Sequence, residues 1–436
     1  MGKAFFLAMA FFLVTAGQPT EPQKPVREER KDRIVQVRGM LKKIRRTARQ
    51  IEAQEKVLME AAVIQAKLGE AVDCRKTVNA FGADPDTVSM LLRIAELQTG
   101  RGNLAGLRDN LRCAQEVAKG ISEDNSRSIA LHDVAVFEAR NRDFRGALQT
   151  AASIGSEYWK GRAYQGIATA QASSGDSERA TEFFERAIQA AVRLDEAKFV
   201  LDTLADIAEA RAKSGDRTGA LATFKQSEHN LDRVTRTFDK VEALLAIAVA
   251  EAHAGFQEDS DRLFSEAHRL TASIENDSVR ADASGRMAQA EASAGNISAA
   301  SESLRMTQDG FYRNVALGAI AEAQIRAGAF DDALRTIALL DDDSGRAYAL
   351  RDLAISQIQL GSTEAAHETT MRIPRSWVQA EAMRLVCAAH ARTSRAGAGE
   401  ALRWADAIHD PHVRAFALLG VVEGTLERIE AGKAEN

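Results

Sequence analysis

"SSGDSERATEFFERAIQAA", Ser173 to Ala191, sets small residues before Gly175-Asp176, then Ala180, the pair Phe183-Phe184 and Ala187. Eleven residues before Gly175 stands Tyr164, eight before it Ile167 and seven before it Ala168. The same frame fits Gly215, with Leu204, Ile207, Ala208, Ala220 and Phe224. It fits Gly255 again, with Leu244, Ile247, Ala248, Phe264 and Ala267. Gly69, Gly102, Gly295, Gly328 and Gly361 extend the series, and Arg142 and Ser394 take the glycine's place in two units. The anchors fall at 69, 102, 142, 175, 215, 255, 295, 328, 361 and 394, so every step is 33 or 40 residues. A fixed period of this kind is an internal structural repeat.

Apolar residues spaced by three and four before the anchor describe one helix; Ala, Phe and Ala after it describe a second. Glycine tolerates the positive φ that ends the first helix, and Asp176, Asp216, Asn296 and Ser362 are placed to N-cap the second. One such hairpin cannot bury its apolar face alone, so the units stack. The step lengths fit this reading. From Ala187 to Leu204 is 17 residues, and from Leu340 to Leu350 is 10. The seven extra residues are about two helical turns and hold the apolar stripe within roughly 20° of phase. They are expected to lengthen helices in the middle of the array without breaking them.

Tyr164, Ile167, Ala168, Gly175, Asp176, Ala180, Phe184 and Ala187 together resemble the tetratricopeptide repeat (TPR), over about residues 55 to 430. That resemblance implies an all-α, α-α superhelix: a TPR-like solenoid of about ten helical hairpins. It says nothing of chemistry, because the repeat is shared by proteins of many functions. The family's second aromatic is replaced, four before each anchor, by Gln171, Arg211, Glu251, Glu291, Gln324 and Gln357. The 40-residue units are long for the family and also fit a HEAT-like repeat.

The composition agrees, with abundant Ala, only 6 Pro and 6% aromatics, which favours helices packed through small side chains. At the N-terminus Lys3 precedes "AFFLAMAFFLV" and "TAG". A basic start, a short apolar run and small residues at a cleavage point after Ala16 are the marks of a signal peptide over residues 1–16. The chain is therefore expected to be exported, to a periplasm, cell envelope or the exterior. Residues 17–26 read as a flexible spacer, and 27–54 as a basic amphipathic helix with Ile34, Val37, Leu41, Ile44, Ala48 and Ile51 along its seam. Residues 24–49 hold 11 basic and 3 acidic side chains, a charge of +8, leaving −5 − 8 = −13 for the rest. This segment either caps the first repeat or touches an anionic surface such as membrane headgroups, cell-wall polymer or nucleic acid.

Motifs for catalysis are lacking, so no enzyme activity, cofactor or small-molecule substrate is expected. "HDPH" (His409–His412) reads as an N-cap at Asp410 before a helix starting at Pro411, rather than a zinc site. "LDDDSG" (Leu340–Gly345) lacks the order of a calcium loop and reads as a connection; "GRGNLAG" (Gly100–Gly106) reads as a turn. Cys74, Cys113 and Cys387 are too few and scattered for a disulfide framework or a zinc site, and are expected to be buried small hydrophobes.

What remains is a surface. Positions 13, 10 and 6 before the anchors lie on one stripe of the first helix, away from the buried one. They hold Arg162, Gln165, Asp202, Glu209, Glu242, Asp282, Gln289, Glu322, Tyr348, Arg351, Glu381 and Arg384. The middle of the stripe is acidic. It is expected to form the groove of a non-catalytic interaction scaffold that takes an extended or helical, possibly basic, segment of a protein partner. The second reading is a tether to an anionic surface through the basic N-terminal helix.

Overall fold

A computed structural model describes residues 82–431, apart from 101, 308 and 309, together with Met59, Ala62, Val63 and Ala66. The signal, spacer and basic-helix segments, the Gly69 anchor and Cys74 lie outside the described residues. Nineteen α-helices and no strand occur among the described residues. The first eight are α1 (Pro85–Gly100), α2 (Leu104–Gly120), α3 (Asp124–Arg140), α4 (Phe144–Ala152), α5 (Glu157–Ser173), α6 (Ser177–Ala191), α7 (Ala197–Lys213) and α8 (Arg217–Asn230), the last continued by a 3-10 turn at Leu231–Arg233. Then come α9 (Thr237–His253), α10 (Gln257–Ala272), α11 (Asp277–Ser293), α12 (Ile297–Arg305) and α13 (Phe311–Arg326). The chain ends with α14 (Phe330–Ile337), α15 (Asp343–Gln359), α16 (Thr363–Met371), α17 (Ser376–Thr393), α18 (Arg395–Ala407) and α19 (Pro411–Ala431). Among the described residues nine hairpins are followed by one further helix.

The hinge between paired helices is built as the sequence reading expects. Gly175 has φ 89°, and all seven hinge glycines from Gly102 to Gly361 have positive φ. In the Gly175 turn, the N–H of Gly175 donates to Ala172 O at 2.9 Å and that of Asp176 to Gln171 O at 3.1 Å. This double bond pattern closes the first helix's last carbonyls. Asp176, Asp216 and Asn296 then accept from the N–H three residues on. Ser362 occupies the same place without a side-chain cap bond, so that expectation is corrected. Its residue type suits a cap; its hydroxyl does not reach one.

The two units without glycine differ. Arg142 takes the left-handed conformation itself, with φ 65°. The cost of order 1–2 kcal/mol for a residue with a Cβ is accepted, and the Asp143 N–H still closes on Glu138 O at 2.9 Å. Ser394 drops the turn altogether. It is extended at φ −162° and serves at once as the end of α17 and the N-cap of α18, its Oγ accepting from Gly397 N at 2.9 Å.

The seven extra residues enter only the second helices. First helices keep 16 to 18 residues from α1 to α17, while second helices have 14 to 17 residues in α2, α6, α8 and α10 but 9, 9, 8 and 9 in α4, α12, α14 and α16. The long units are therefore long on one side.

Two compact units are distinguished, one of Gln65–Ile320 and the other carrying Ala321 onward. In the first, each first helix packs on the next one (α1 on α3, then α5, α7, α9 and α11 in turn), and each second helix packs on its own partner and on the following first helix. The frame residues make this core: Ile167, Leu204, Ile207, Phe224, Leu244 and Ile247 are fully buried, and Phe184 nearly so. Burying each such side chain is worth about 1.5–3 kcal/mol. In the second unit Leu353, Ala354, Met383, Val386 and Ala401 are fully buried. There α17 packs on α19 so closely that a Cβ on Gly420 would meet Arg384 O at 2.1 Å and one on Gly424 would meet Ala388 O at 2.0 Å.

The polar residue four before the hinge is buried in most units, with Gln171, Arg211, Glu251 and Glu291 5% exposed or less and Gln324 half-buried. Its side chain ties the hairpin internally, as Arg211 does to Thr223 Oγ1 (3.3 Å) and Thr336 Oγ1 does by donating to Gln324 Oε1 (2.8 Å). It also reaches the second helix of the preceding hairpin, where Arg211 meets Glu185 (2.9 Å) and Glu291 meets His268 (2.7 Å). An aromatic ring at this position would forgo both links.

Cys113 is disulfide-bonded and Cys387 is a buried free thiol. The expectation of three unpaired cysteines is corrected for Cys113.

Candidate partner-binding groove

The row of first helices α5, α7, α9 and α11 carries the acidic middle of the stripe. Arg162 and Gln165 lie on α5, Asp202 and Glu209 on α7, Glu242 on α9, and Asp282 and Gln289 on α11. The structure joins several of them through a ladder with a fixed register. Arg162 pairs with Asp206 Oδ2 at 2.5 Å, and Lys198 with Glu242 Oε2 at 2.6 Å; each spans 44 residues, one repeat plus about one turn. Arg286 Nε lies 3.0 Å from Glu242 Oε1, again 44 residues on, as an ion pair whose N–H is not aligned for a hydrogen bond. His253 Nδ1 stands 3.4 Å from Glu209, which Lys213 also meets. Gln165 Nε2 donates to the Asp206 carbonyl at 3.1 Å.

Asp202 is the exception. The residue 44 positions further on is Ala246, which offers no charge. One Asp202 oxygen, Oδ1, is buried without a hydrogen-bond partner. Burial pushes its pKa up to about 6, with Lys198 opposing and Asp206 and Glu242 reinforcing. Asp206 is also raised, chiefly by burial, against the pull of Arg162. Lys198, Asp202, Asp206, Glu242, Arg286 and Gln289 line a cleft of about 380 Å³ floored by Ala205, Leu245 and Ala290. Asp282 is half-buried on the neighbouring turn of α11.

Arg162 and Gln165 also border a second cleft of about 460 Å³ between α3 and α5. The remaining stripe residues lie in the unit that carries Ala321 onward. Glu322 is exposed on α13, 3.6 Å from Arg326, beside a cleft of about 620 Å³ bordered by Asp352 and Gln359 of α15. Tyr348 makes an edge contact with Trp377 at 5.6 Å, and the Arg351 guanidinium covers its ring at 5.0 Å while bonding Asp352 at 2.7 Å. Glu381 is half-buried. Arg384 pairs with Glu423 of α19 at 3.1 Å, both side chains nearly enclosed, so it joins α17 to α19.

Lys198, Asp206 and Arg286 belong to the same floor and fall off the sequence stripe. For Asp206 and Arg286 the signal was a charge exchange between positions 13 and 9 before successive anchors, Arg162 with Asp206 and Glu242 with Arg286; Lys198, 17 before its anchor, had none. The other motifs are structural: Asp410 Oδ1 accepts from His412 N (2.8 Å) and Val413 N (3.1 Å), and Asp342 accepts from Gly345 N at 2.6 Å to cap α15. Among the described residues no group of three His, Cys, Asp or Glu is placed to hold a metal ion, and no helix is long and apolar enough to cross a membrane.

No protein-family model and no curated protein matches the chain. Among solved structures, Ton1535 from Thermococcus onnurineus NA1 is similar at 18% identity and TM-score 0.33, over 76% of this chain and 98% of that one. A signal transduction ATPase with numerous domains and a tetratricopeptide repeat sensor, from Pyrococcus horikoshii, matches at 11% identity and TM-score 0.24, over 80% of this chain and 52% of its own. A circular tandem repeat protein with novel repeat topology matches at 15% identity and TM-score 0.18, over 92% and 91%. At these TM-scores the superpositions carry no argument, and the fold rests on the hairpins themselves. With its glycine-hinged helix pairs, repeated frame and row of packed first helices, the chain is an all-α, TPR-like helical-repeat protein.

Proposed function

We propose that the protein is an exported, non-catalytic scaffold that binds a cationic segment of a partner protein along α7, α9 and α11. The observation that carries this reading is Asp202: a carboxylate in a cleft, with an enclosed oxygen that nothing donates to. Its neighbours on the floor are paired across the repeats. A partner's ammonium, guanidinium or backbone N–H placed there supplies the missing donor and lowers the carboxyl's pKa, a charge-assisted bond of about 1.5–3 kcal/mol. The prepaired side chains around it are already ordered, which reduces the entropy lost on binding. The Cys113 disulfide supports export, since such bonds persist in oxidising compartments.

The test is affinity capture from the envelope fraction, with the chain from Gly17 onward as bait beside an Asp202→Lys, Asp282→Lys bait. Glu242 is left intact, because reversing it would break two ion pairs of the floor. One protein retained by the native bait and lost by the variant is the expected outcome. Identical sets from both baits would overturn the groove reading.

A further inference from the structure

The cleft between α3 and α5 has the opposite character from the Asp202 cleft. It is bordered by Arg140, Arg142, Arg162, His132, Gln165 and Thr169, with small residues between them and no carboxylate. Arg162 is already balanced by Asp206, and the His132 ring is engaged by Asp133 at 2.9 Å. Arg140 and Arg142 are exposed, and among the described residues neither side chain has an ion-pair or hydrogen-bond partner. Two unmatched guanidiniums thus face one hollow in a chain whose net charge is negative.

Arg142 adds a second observation. It holds the left-handed hinge position that glycine fills in seven other hairpins, at φ 65°. Backbone strain kept at a place where the repeat's own residue would relieve it directs attention to the side chain. We propose that this cleft binds a phosphate monoester, its dianion held by Arg140 and Arg142. The charge count selects the ligand: two uncompensated cations match a dianion, whereas one carboxylate leaves a guanidinium unpaired. Planar guanidinium forks suit phosphate oxygens. The volume of about 460 Å³ exceeds the need of a bare ion and falls in the range of small-ligand sites. The proposal is independent of the Asp202 cleft and its partner.

The experiment is calorimetric titration of the full chain from Gly17 onward with glycerol 3-phosphate, with inorganic phosphate, and with acetate at matched ionic strength. Vesicles of phosphatidylcholine with and without phosphatidic acid form a further arm. Arg142→Gly installs the repeat's usual hinge residue, so it keeps the fold and removes only the side chain; Arg140→Gln is the second variant. Each is expected to weaken glycerol 3-phosphate binding by about tenfold, with unchanged circular dichroism. Tighter binding to the acid-bearing vesicles than to glycerol 3-phosphate, lost in both variants, assigns the phosphate to a lipid headgroup; the reverse order assigns it to a soluble ester. Acetate binding as well as phosphate, no phosphate binding, or binding indifferent to both variants would overturn the proposal.

Discussion

Arg142 and Glu251 show two ways in which one residue departs from its repeat. Arg142 pays for a side chain with backbone strain, yet the surrounding bonds of the turn are those of a glycine hinge. Arg142→Gly trades about 1 kcal/mol of strain for a similar gain in unfolded-state freedom. Its melting temperature is expected within about 3 °C of the parent; a fall of 10 °C would mean that the side chain holds the hinge. Glu251 stands where five other units have Gln, and burial pushes its pKa up to about 8, with Glu228 and Asp259 reinforcing and Arg262 opposing. A carboxyl raised in the folded state binds more protons there than in the unfolded chain, so its contribution to stability is full below the unfolded pKa of about 4.5. It is lost as pH rises toward 8. Asp202 acts in the same direction over the window from about 4 to about 6. Glu251→Gln is therefore expected to raise the melting temperature at pH 8 by a few degrees and leave it nearly unchanged at pH 4.5. Equal shifts at both pH values would contradict this. The sequence marks position 251 as polar, but not that it is enclosed, because enclosure comes from the second helix of the preceding hairpin.

At the scale of the element, α17 and α19 cross backbone against backbone. Gly420 and Gly424, one turn apart, face the carbonyls of Arg384 and Ala388. An added methyl there meets backbone and cannot be absorbed by a side-chain rotation. Gly424→Ala is expected to cost about 3 kcal/mol or more, beyond ordinary overpacking, and to free the Arg384–Glu423 pair. Thermal unfolding and protection of α19 amides from hydrogen exchange would read it; full protection in the variant would contradict it. The hairpins were legible because their signal is local: an apolar period, a glycine and a capping acid within a few residues. Arg142 and Ser394 read alike as missing glycines, yet one keeps the turn and the other removes it. That difference depends on where the next helix starts, at Phe144 in one case and Arg395 in the other, and no residue type announces it.

At the scale of the whole molecule, the frame of 33 and 40 residues disclosed the array, but long-range pairing escaped it. The ladder joins residues 44 positions apart, a repeat and about one turn. Such pairs become visible only once hairpins are stacked in register. Reduction of the Cys113 disulfide is expected to lower the protein's melting temperature, in line with the about 2–4 kcal/mol typical of such a bond. An unchanged melting temperature in dithiothreitol would show that the bond constrains nothing the fold needs. The ladder also interrupts the acidic stripe, since Glu242 meets both Lys198 and Arg286 from the neighbouring first helices. The confinement of the extra turns to second helices has a consequence for how such a chain can change. A gain or loss of seven residues leaves every first helix, and hence every rung of the ladder, untouched. Repeat length and the charge pairing of the first helices are thus inherited separately, and a lineage can lengthen or shorten the second helices without disturbing the side chains that the first helices share.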